Sequence, residues 1–564
     1  MLNHNVRTTI RLVVNTFRIH EGNSNNLIYG KCYRPFKPMV LQFLEETLKN
    51  NIYSKETLSN VSKNGINNSV SRSTTDDKKY NTSLVDLQKI QKKEMLNALM
   101  NFMYQQPVYV LVHEINDIDI KFCNLLEVMS YCDIFKLLLF LSKTIPYKII
   151  ELNFYIKAME LLREGISNNI FNKDEIIFCL YFFGLRKENA VKDVQMTWKY
   201  LEFEKLSLFE KCIASETLFK CGIKLMQTQI KNVEKLIESE AKFLINNLNL
   251  LVPLCKVARH AGTTKNFFPS NLSKEIINCN HKYHMIPAVH ILKLYSHMYF
   301  LEPKVLHRLV TDIIDNISTI NKTFKDKSDL YKKQIYKSKY IDGFLWSICI
   351  LNYKLTDAQF LEVKNYIDNI QSIIFDEPKE LLRILLSLWI LGYQPEFMIQ
   401  ECIKRDIFLQ AYNNKFWKIR TSLYLLLHTI QIESPNIKLP TDLFTDVYVA
   451  MKIQKSLKTV CTILSGFSKQ MKLQNVIINS PAKGIYIAGV SFDHPTLGSF
   501  HIDLLNDTTC LRYSKVPHGL MNLKLRLIKQ LGYQSILIDE DDLKDTISTF
   551  KYIEKCLDEI LYTK

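Results

Sequence analysis

Between Ala288 and Phe397 the chain repeats one pattern three times. An apolar run of helical period is followed by a short turn carrying an aromatic residue, and then by a second amphipathic segment. The copies are Ala288–Leu306, Gly343–Leu361 and Leu381–Phe397, and Tyr353 and Tyr393 fall 40 residues apart. Degenerate helix-pair units of about 35–45 residues mark a helical repeat, because one unit cannot cover its own apolar face and neighbours must stack on it. The same grammar runs from about Leu84 to Gln470, so residues 84–470 are expected to form an α-solenoid with an extended concave surface. A compact helical bundle is the competing fold. Composition agrees: 15 glycines and 15 prolines in 564 residues are far below the ~12% these two residues usually contribute together. Turn-rich and all-β folds are thereby disfavoured, and the 47% hydrophobic content is ample for a core.

The formal net charge is +16. A basic chain of this size commonly meets nucleic acid or an acidic membrane surface. No apolar run approaches the ~18 residues a transmembrane helix needs, so no membrane insertion is expected. Thirteen cysteines are scattered along the chain without a CxxC pair, which points to reduced thiols rather than a disulfide framework or zinc ribbon. Cys279, His281 and His284, with His290 and His297 nearby, supply a thiol and imidazoles but no second cysteine. A closed zinc site takes about four ligands, so no metal and no cofactor is expected. Phosphate-loop, HExxH and GxSxG motifs do not occur.

The N-terminus reads as an address. Arg7, Arg11, Arg18, Lys31, Arg34 and Lys37 stand against one acid, Glu21, before Leu44. On a helix, Val6, Ile10, Val13 and Phe17 share one face, and Arg7, Arg11 and Arg18 another. Residues 1–35 are therefore expected to be a mitochondrial presequence, with plastid import as the alternative. Residues 54–83, rich in Ser, Asn, Thr and Lys, have almost nothing to bury and read as a flexible polar linker. A lysine-rich insertion, Lys322–Lys339, interrupts the repeats. It holds Lys332 and Lys333 among Phe324, Tyr331 and Tyr336. Lysines can neutralise phosphates and aromatic faces can stack on bases, so both lysines are candidate nucleic-acid contacts.

After Gln470 the period changes. Gly484–Asp493, Phe500–Leu505 and Gln534–Asp539 read as strands, with Thr509–Tyr513 a further candidate. Gly519–Tyr533 reads as a helix with Leu520, Leu523, Leu527 and Leu531 facing inward and Gly532 closing it. Asp541–Tyr562 is a last helix. Residues 484–564 thus form a small α/β domain.

Leu523-Lys-Leu-Arg-Leu-Ile-Lys-Gln-Leu-Gly-Tyr-Gln-Ser-Ile-Leu-Ile538 resembles the signature of the RAP domain, an RNA-binding domain abundant in apicomplexans. That family pattern is a Lys-Arg-containing helix ending in Leu-Gly-Tyr or Leu-Gly-Trp, then an apolar strand and a final helix. Its placement after helical repeats and an import-like N-terminus is also similar to FAST kinase-domain proteins. The segment Ile502–Asp507 departs from the family by lacking its Gly-Pro-x-His, while Asp503 occupies the acidic position. The resemblance implies a restriction-endonuclease-like fold and organellar RNA binding in processing, stability or ribosome biogenesis.

Arg512, Lys515, Lys524, Arg526 and Lys529 crowd this motif and are the candidate phosphate contacts, since arginine pairs bidentately with phosphate and lysine acts as a point charge. Related nucleases hold a divalent metal between two carboxylates with a lysine beside them. Asp493 and Asp503 could be those carboxylates, but Leu505 stands where the lysine is expected, with Lys524 or Lys529 as relocated substitutes. The expectation is an organellar RNA-binding protein, bound to rRNA or mRNA, without chemistry. A structural subunit of the mitochondrial ribosome, in contact with ribosomal proteins, and a metal-dependent RNA endonuclease are the alternatives.

Overall fold

The computed structural model describes residues 38–49, 94–96, 98–99, 108–146, 148–323, 338–413, 417–444, 453–470, 472–543 and 546–562. The expected presequence (1–35), the linker (54–83), and Lys332 and Lys333 lie outside them. The chain divides into two compact units, Met1–His284 and Met285–Lys564.

The first unit is helical throughout its described part. Helices α1 (Lys173–Gly184), α2 (Leu208–Lys220) and α3 (Leu248–Ala261) pack in succession. Their starts are written locally. Asn172 and Ser207 cap the helix amides three residues on, and Glu175 and Glu210 reach back to the caps. These reciprocal boxes satisfy donors that a helix start otherwise leaves open.

The second unit contains the three repeated segments. Helices α4 (Met285–His297), α6 (Ser338–Ile350), α8 (Pro378–Ile390) and α10 (Trp417–Glu433) stack in order. Helices α5 (Pro303–Thr323) and α7 (Asp357–Asn369) form a parallel second layer, and the shorter α9 (Glu396–Lys404) follows α8. A helical repeat is thus present, and its 40-residue offset has a physical origin. Asn352 and Gly392 follow α6 and α8 at positive φ. The next residues, Tyr353 and Tyr393, donate their amides back to Ile348 O and Leu388 O at 2.9 Å each. Tyr299 and Phe300 close α4 in the same way. This left-handed closure places an apolar residue after the turn, which is the aromatic seen in the sequence. The stacked helices carry apolar residues nearly all round, as in α8, where Leu381, Leu382, Ile384, Leu385, Leu386, Leu388 and Trp389 are all buried.

A small mixed sheet ends the chain. Its elements are α11 (Lys455–Gly466), β1 (Gln474–Asn479), β2 (Gly489–His494), β3 (Gly498–Leu505), α12 (Gly519–Gln530), β4 (Gln534–Asp539) and α13 (Thr546–Tyr562). The sheet order is β1-β2-β3-β4, antiparallel up to β3. β3 and β4 run parallel, so α12 is the crossover between them. Alternation sends Val490, Phe492, Phe500, Ile502, Leu504, Ile536 and Ile538 to one face. There they pack on Leu457, Val460 and Leu464 of α11 and on Ile553 of α13.

Three strand expectations change. The strand read from Gly484 begins only at Gly489, because Gly484 sits at positive φ against the α10 backbone at Leu425. β1 is a strand that the sequence pattern does not signal, and α11, within the expected repeat region, belongs instead to the core of the sheet. Thr509–Tyr513 forms no strand; it makes isolated bridges, Phe300 with Arg512 and Cys510 with Pro517.

Among the described residues no helix is long and apolar enough to cross a membrane, and every described cysteine is a free thiol, buried or half-buried.

Candidate nucleic-acid interface

Helix α12 carries the RAP-like sequence and is packed on two sides. One side faces the polar face of the sheet; the other meets α6, α8 and α10. Leu523 and Leu527 are buried as expected, Leu520 is half-buried, and Leu531 is exposed. Gly532 closes the helix at φ +87°, with Tyr533 N–H donating to Ile528 O at 3.0 Å.

Lys524 points into the sheet. Its side chain and that of Asp503 are both 0% exposed, and the two form an ion pair. His501 Nε2 lies 3.5 Å from Asp503 Oδ1. On its other side His501 Nδ1 is 2.8 Å from Ser491 Oγ, which donates to Asn479 Oδ1 at 2.6 Å. Gly489 makes room for this ring, as a Cβ there would lie 2.3 Å from His501 Nε2. Burial lowers the pKa of His501, reinforced by the Lys524 charge and opposed by Asp503. Burial also lowers that of Lys524, against the pull of Asp503. Burial alone would raise that of Asp503, but His501 and Lys524 outweigh it and the carboxyl stays below its ordinary range. Lys524 therefore presents no charge to solvent. Sequence spacing held the clue: Lys524 is four residues after Leu520 and three before Leu527, so it shares their face.

Arg526 is also used internally. It pairs with Glu433, whose side chain is 4% exposed, and donates to Trp389 O at 2.8 Å and Ile390 O at 3.2 Å. Trp389 Nε1 donates to the same carboxylate at 2.6 Å. Lys515 is exposed but pairs with Asp539 and Asp541, which raise its pKa, Asp539 the more strongly. Arg512 is half-buried, and its backbone amide donates to Tyr299 O at 2.7 Å. Lys529 is exposed.

The two candidate metal carboxylates are not brought together. Asp493 pairs in register with Ser499. Asp503 lies four residues further along β3, roughly 13 Å away at strand rise. Asp493 instead accepts from Asn475 Nδ2 at 2.8 Å and Ser499 Oγ at 2.7 Å, and these bonds lower its pKa. Cys279 Sγ lies 2.9 Å from His281 Nδ1, and among the described residues no group of three or more metal-binding side chains forms.

A cationic surface lies elsewhere on the module. Lys455, Lys458, Lys469 and Lys472, on α11 and just before β1, are exposed, and among the described residues none of them makes an ion pair. The available signal was a deficit of acids. The 46 residues between Asp446 and Asp493 hold six lysines and no Asp or Glu. With 57 acids in 564 residues, about five would ordinarily occur there. Most of the chain's net positive charge lies in segments 1–37, 50–93 and 324–337; the described residues are close to balanced.

No protein-family model matches the chain, and no curated protein matches it either.

Proposed function

We propose that this is an organellar RNA-binding protein of the RAP type: an α-solenoid closed by a restriction-endonuclease-like RAP domain and addressed to the mitochondrion. It acts in RNA processing, stability or ribosome biogenesis by binding rather than by chemistry. The observation that carries this reading is a coincidence of motif and architecture. The RAP-like stretch Leu523–Ile538 is the crossover helix and the parallel strand of a small α/β module, and that module follows a helical repeat. Support for binding without cleavage comes from the separation of Asp493 from Asp503 and from the burial of Asp503 against Lys524. A shared ion would need both carboxylates in its coordination sphere, at about 2.0–2.6 Å.

Crosslinking in intact cells, followed by sequencing of the bound RNA, tests the reading. Enrichment of organellar rRNA or mRNA is the expected result. Recovery of no RNA, or of cytosolic RNA alone, would remove it.

A further inference from the structure

We infer that the outer stripe of α11 and the approach to β1 form the module's phosphate-binding track, with RNA as the occupant; this rests on the RNA-binding reading above and names its surface. The inner side of α11 is fixed in the core through Leu457, Val460 and Leu464. From Lys455 to Asn475 every exposed described residue is Lys, Thr, Ser, Gly, Gln or Asn. The stripe is therefore free of acids and free of apolar side chains.

Small residues separate its two pairs of lysines. Thr459, Thr462 and Ser465 donate their hydroxyls to the carbonyls four residues back, at 3.2, 2.9 and 2.8 Å. Their side chains are folded onto the helix, and a Cβ built on Gly466 would meet nothing. A chain of phosphates can lie close along such a track, with Lys455 and Lys458 at one end and Lys469 and Lys472 at the other. The helix spans about 18 Å at 1.5 Å per residue.

The lysine placement also works against the helix. Lys455 and Lys458 occupy its first turn, which carries no acid, although the positive end of the dipole favours acids there. The same position attracts an external anion, because helix dipole and ammonium groups then act together. Two acids approach the ends of the track, and each is held by the protein: Glu540 accepts from Ser456 Oγ, and Asp493 from Asn475 and Ser499. A bilayer is the poorer partner, since peripheral helices bind membranes by inserting apolar side chains and between Lys455 and Asn475 the stripe exposes none, the exposed Ile453 and Ile477 lying beyond its two ends.

The test uses the full chain and a single-stranded oligoribonucleotide of mixed sequence, titrated over a range of salt. The double variant Lys458→Gln/Lys469→Gln is expected to bind on the order of 10-fold more weakly near 0.1 M salt. The slope of log K against log salt should shrink by about 1.4, two phosphate contacts at ~0.7 each. Both side chains are exposed and unpaired, so the thermal unfolding midpoint should match that of the unmodified chain. Lys529→Gln should leave the slope unchanged. An unaltered slope in the double variant, while the unmodified chain binds, overturns the track and leaves the RNA-binding reading standing. A slope loss in Lys529→Gln alone moves the site to α12 and does the same. Failure of the unmodified chain to bind the oligoribonucleotide, with or without capture on vesicles of anionic lipid, overturns both.

Discussion

Gly519 and Arg526 stand seven residues apart on α12, and each meets the C-terminal end of a different repeat helix. A Cβ on Gly519 would lie 1.8 Å from Cys349 O, at the end of α6. Arg526 donates to Trp389 O and Ile390 O at the end of α8 and pairs with Glu433 at the end of α10. Upstream, Arg512 bonds to Tyr299 O just past α4. Seven helical residues rise about 10.5 Å, close to the 8–10 Å between packed helices. The segment 512–526 therefore crosses four successive helix ends in register. Those ends carry open carbonyls and partial negative charge, which a guanidinium satisfies.

Removing that guanidinium should loosen the junction. Arg526→Met leaves Glu433 buried without its cation and takes a donor from Ile390 O and from Trp389 O, of which Trp389 O keeps the Gly392 amide. Breaking a buried pair costs about 3–5 kcal/mol, and the 35% exposure of Arg526 argues for the lower part of that range. Urea unfolding should show the loss. Adding Glu433→Gln should recover part of it, because the stranded charge is then gone. A double variant no more stable than Arg526→Met would show that the carboxylate is not what the arginine serves.

The glycines of this module should rank by their surroundings. Gly519→Ala drives a methyl group into backbone, and overpacking of this kind costs about 1–3 kcal/mol or more. Gly532→Ala meets no atoms but sits at φ +87°, a left-handed geometry that costs roughly 1 kcal/mol. Gly466→Ala lies in a helix with open space around it and should gain up to about 1 kcal/mol from helix propensity. Chemical denaturation of the three variants gives the order directly, and equal effects at 519 and 466 would contradict the close approach to α6.

How much of this was readable beforehand depended on whether the determinant was local. The helix-pair repeat was legible because its closure needs a left-handed residue followed by an apolar one, and Asn352-Tyr353 and Gly392-Tyr393 supply them in sequence. The Gly532 closure of α12 was legible for the same reason. β1 was not, because six residues with polar ends and an edge position carry little alternation. Thr509–Tyr513 has strand-forming residues, yet its partners Tyr299 and Phe300 lie some 200 positions upstream. The candidate cations divided on tertiary grounds. Spacing sets Lys524 on the face of Leu520 and Leu527 and Lys529 off it, but only the fold shows that this face lies against Asp503 while Lys529 stays on the surface. The α11 lysines do not stand out singly, because lysines are common; their signal is the missing acids around them.

Acid should destabilise this module before its carboxylates titrate. His518 caps α12 by accepting the Met521 amide on Nδ1 at 3.2 Å, while Nε2 lies 3.0 Å from Thr508 O and donates to it. The ring also stacks on Tyr299 at 5.0 Å. A cap that accepts on one nitrogen and donates on the other must be neutral, and burial lowers its pKa below the ordinary 6.5. His501 is lowered too. Below that value the unfolded chain takes up protons that the folded one refuses, so stability is fully present above about pH 6.5 and falls as the pH drops beneath it. Urea midpoints at pH 8 and pH 5.5 should differ accordingly. His518→Asn keeps a capping oxygen and should flatten the dependence; an unchanged slope would assign the effect to His501 or elsewhere.

The Asp503–Lys524 pair gives the last expectation. Each partner is inaccessible, so removing one strands the other. Asp503→Asn and Lys524→Met should each cost about 3–5 kcal/mol, while Asp503→Leu/Lys524→Met should cost much less than the sum of the single losses. Reversing the charge at Lys524 should act the same way, as a loss of fold seen by circular dichroism, before any effect on RNA affinity can be read. If Lys524→Glu instead stays folded and weakens oligoribonucleotide binding with a smaller salt slope, Lys524 must reach solvent in the binding state. The sheet and α12 would then have to separate when RNA arrives.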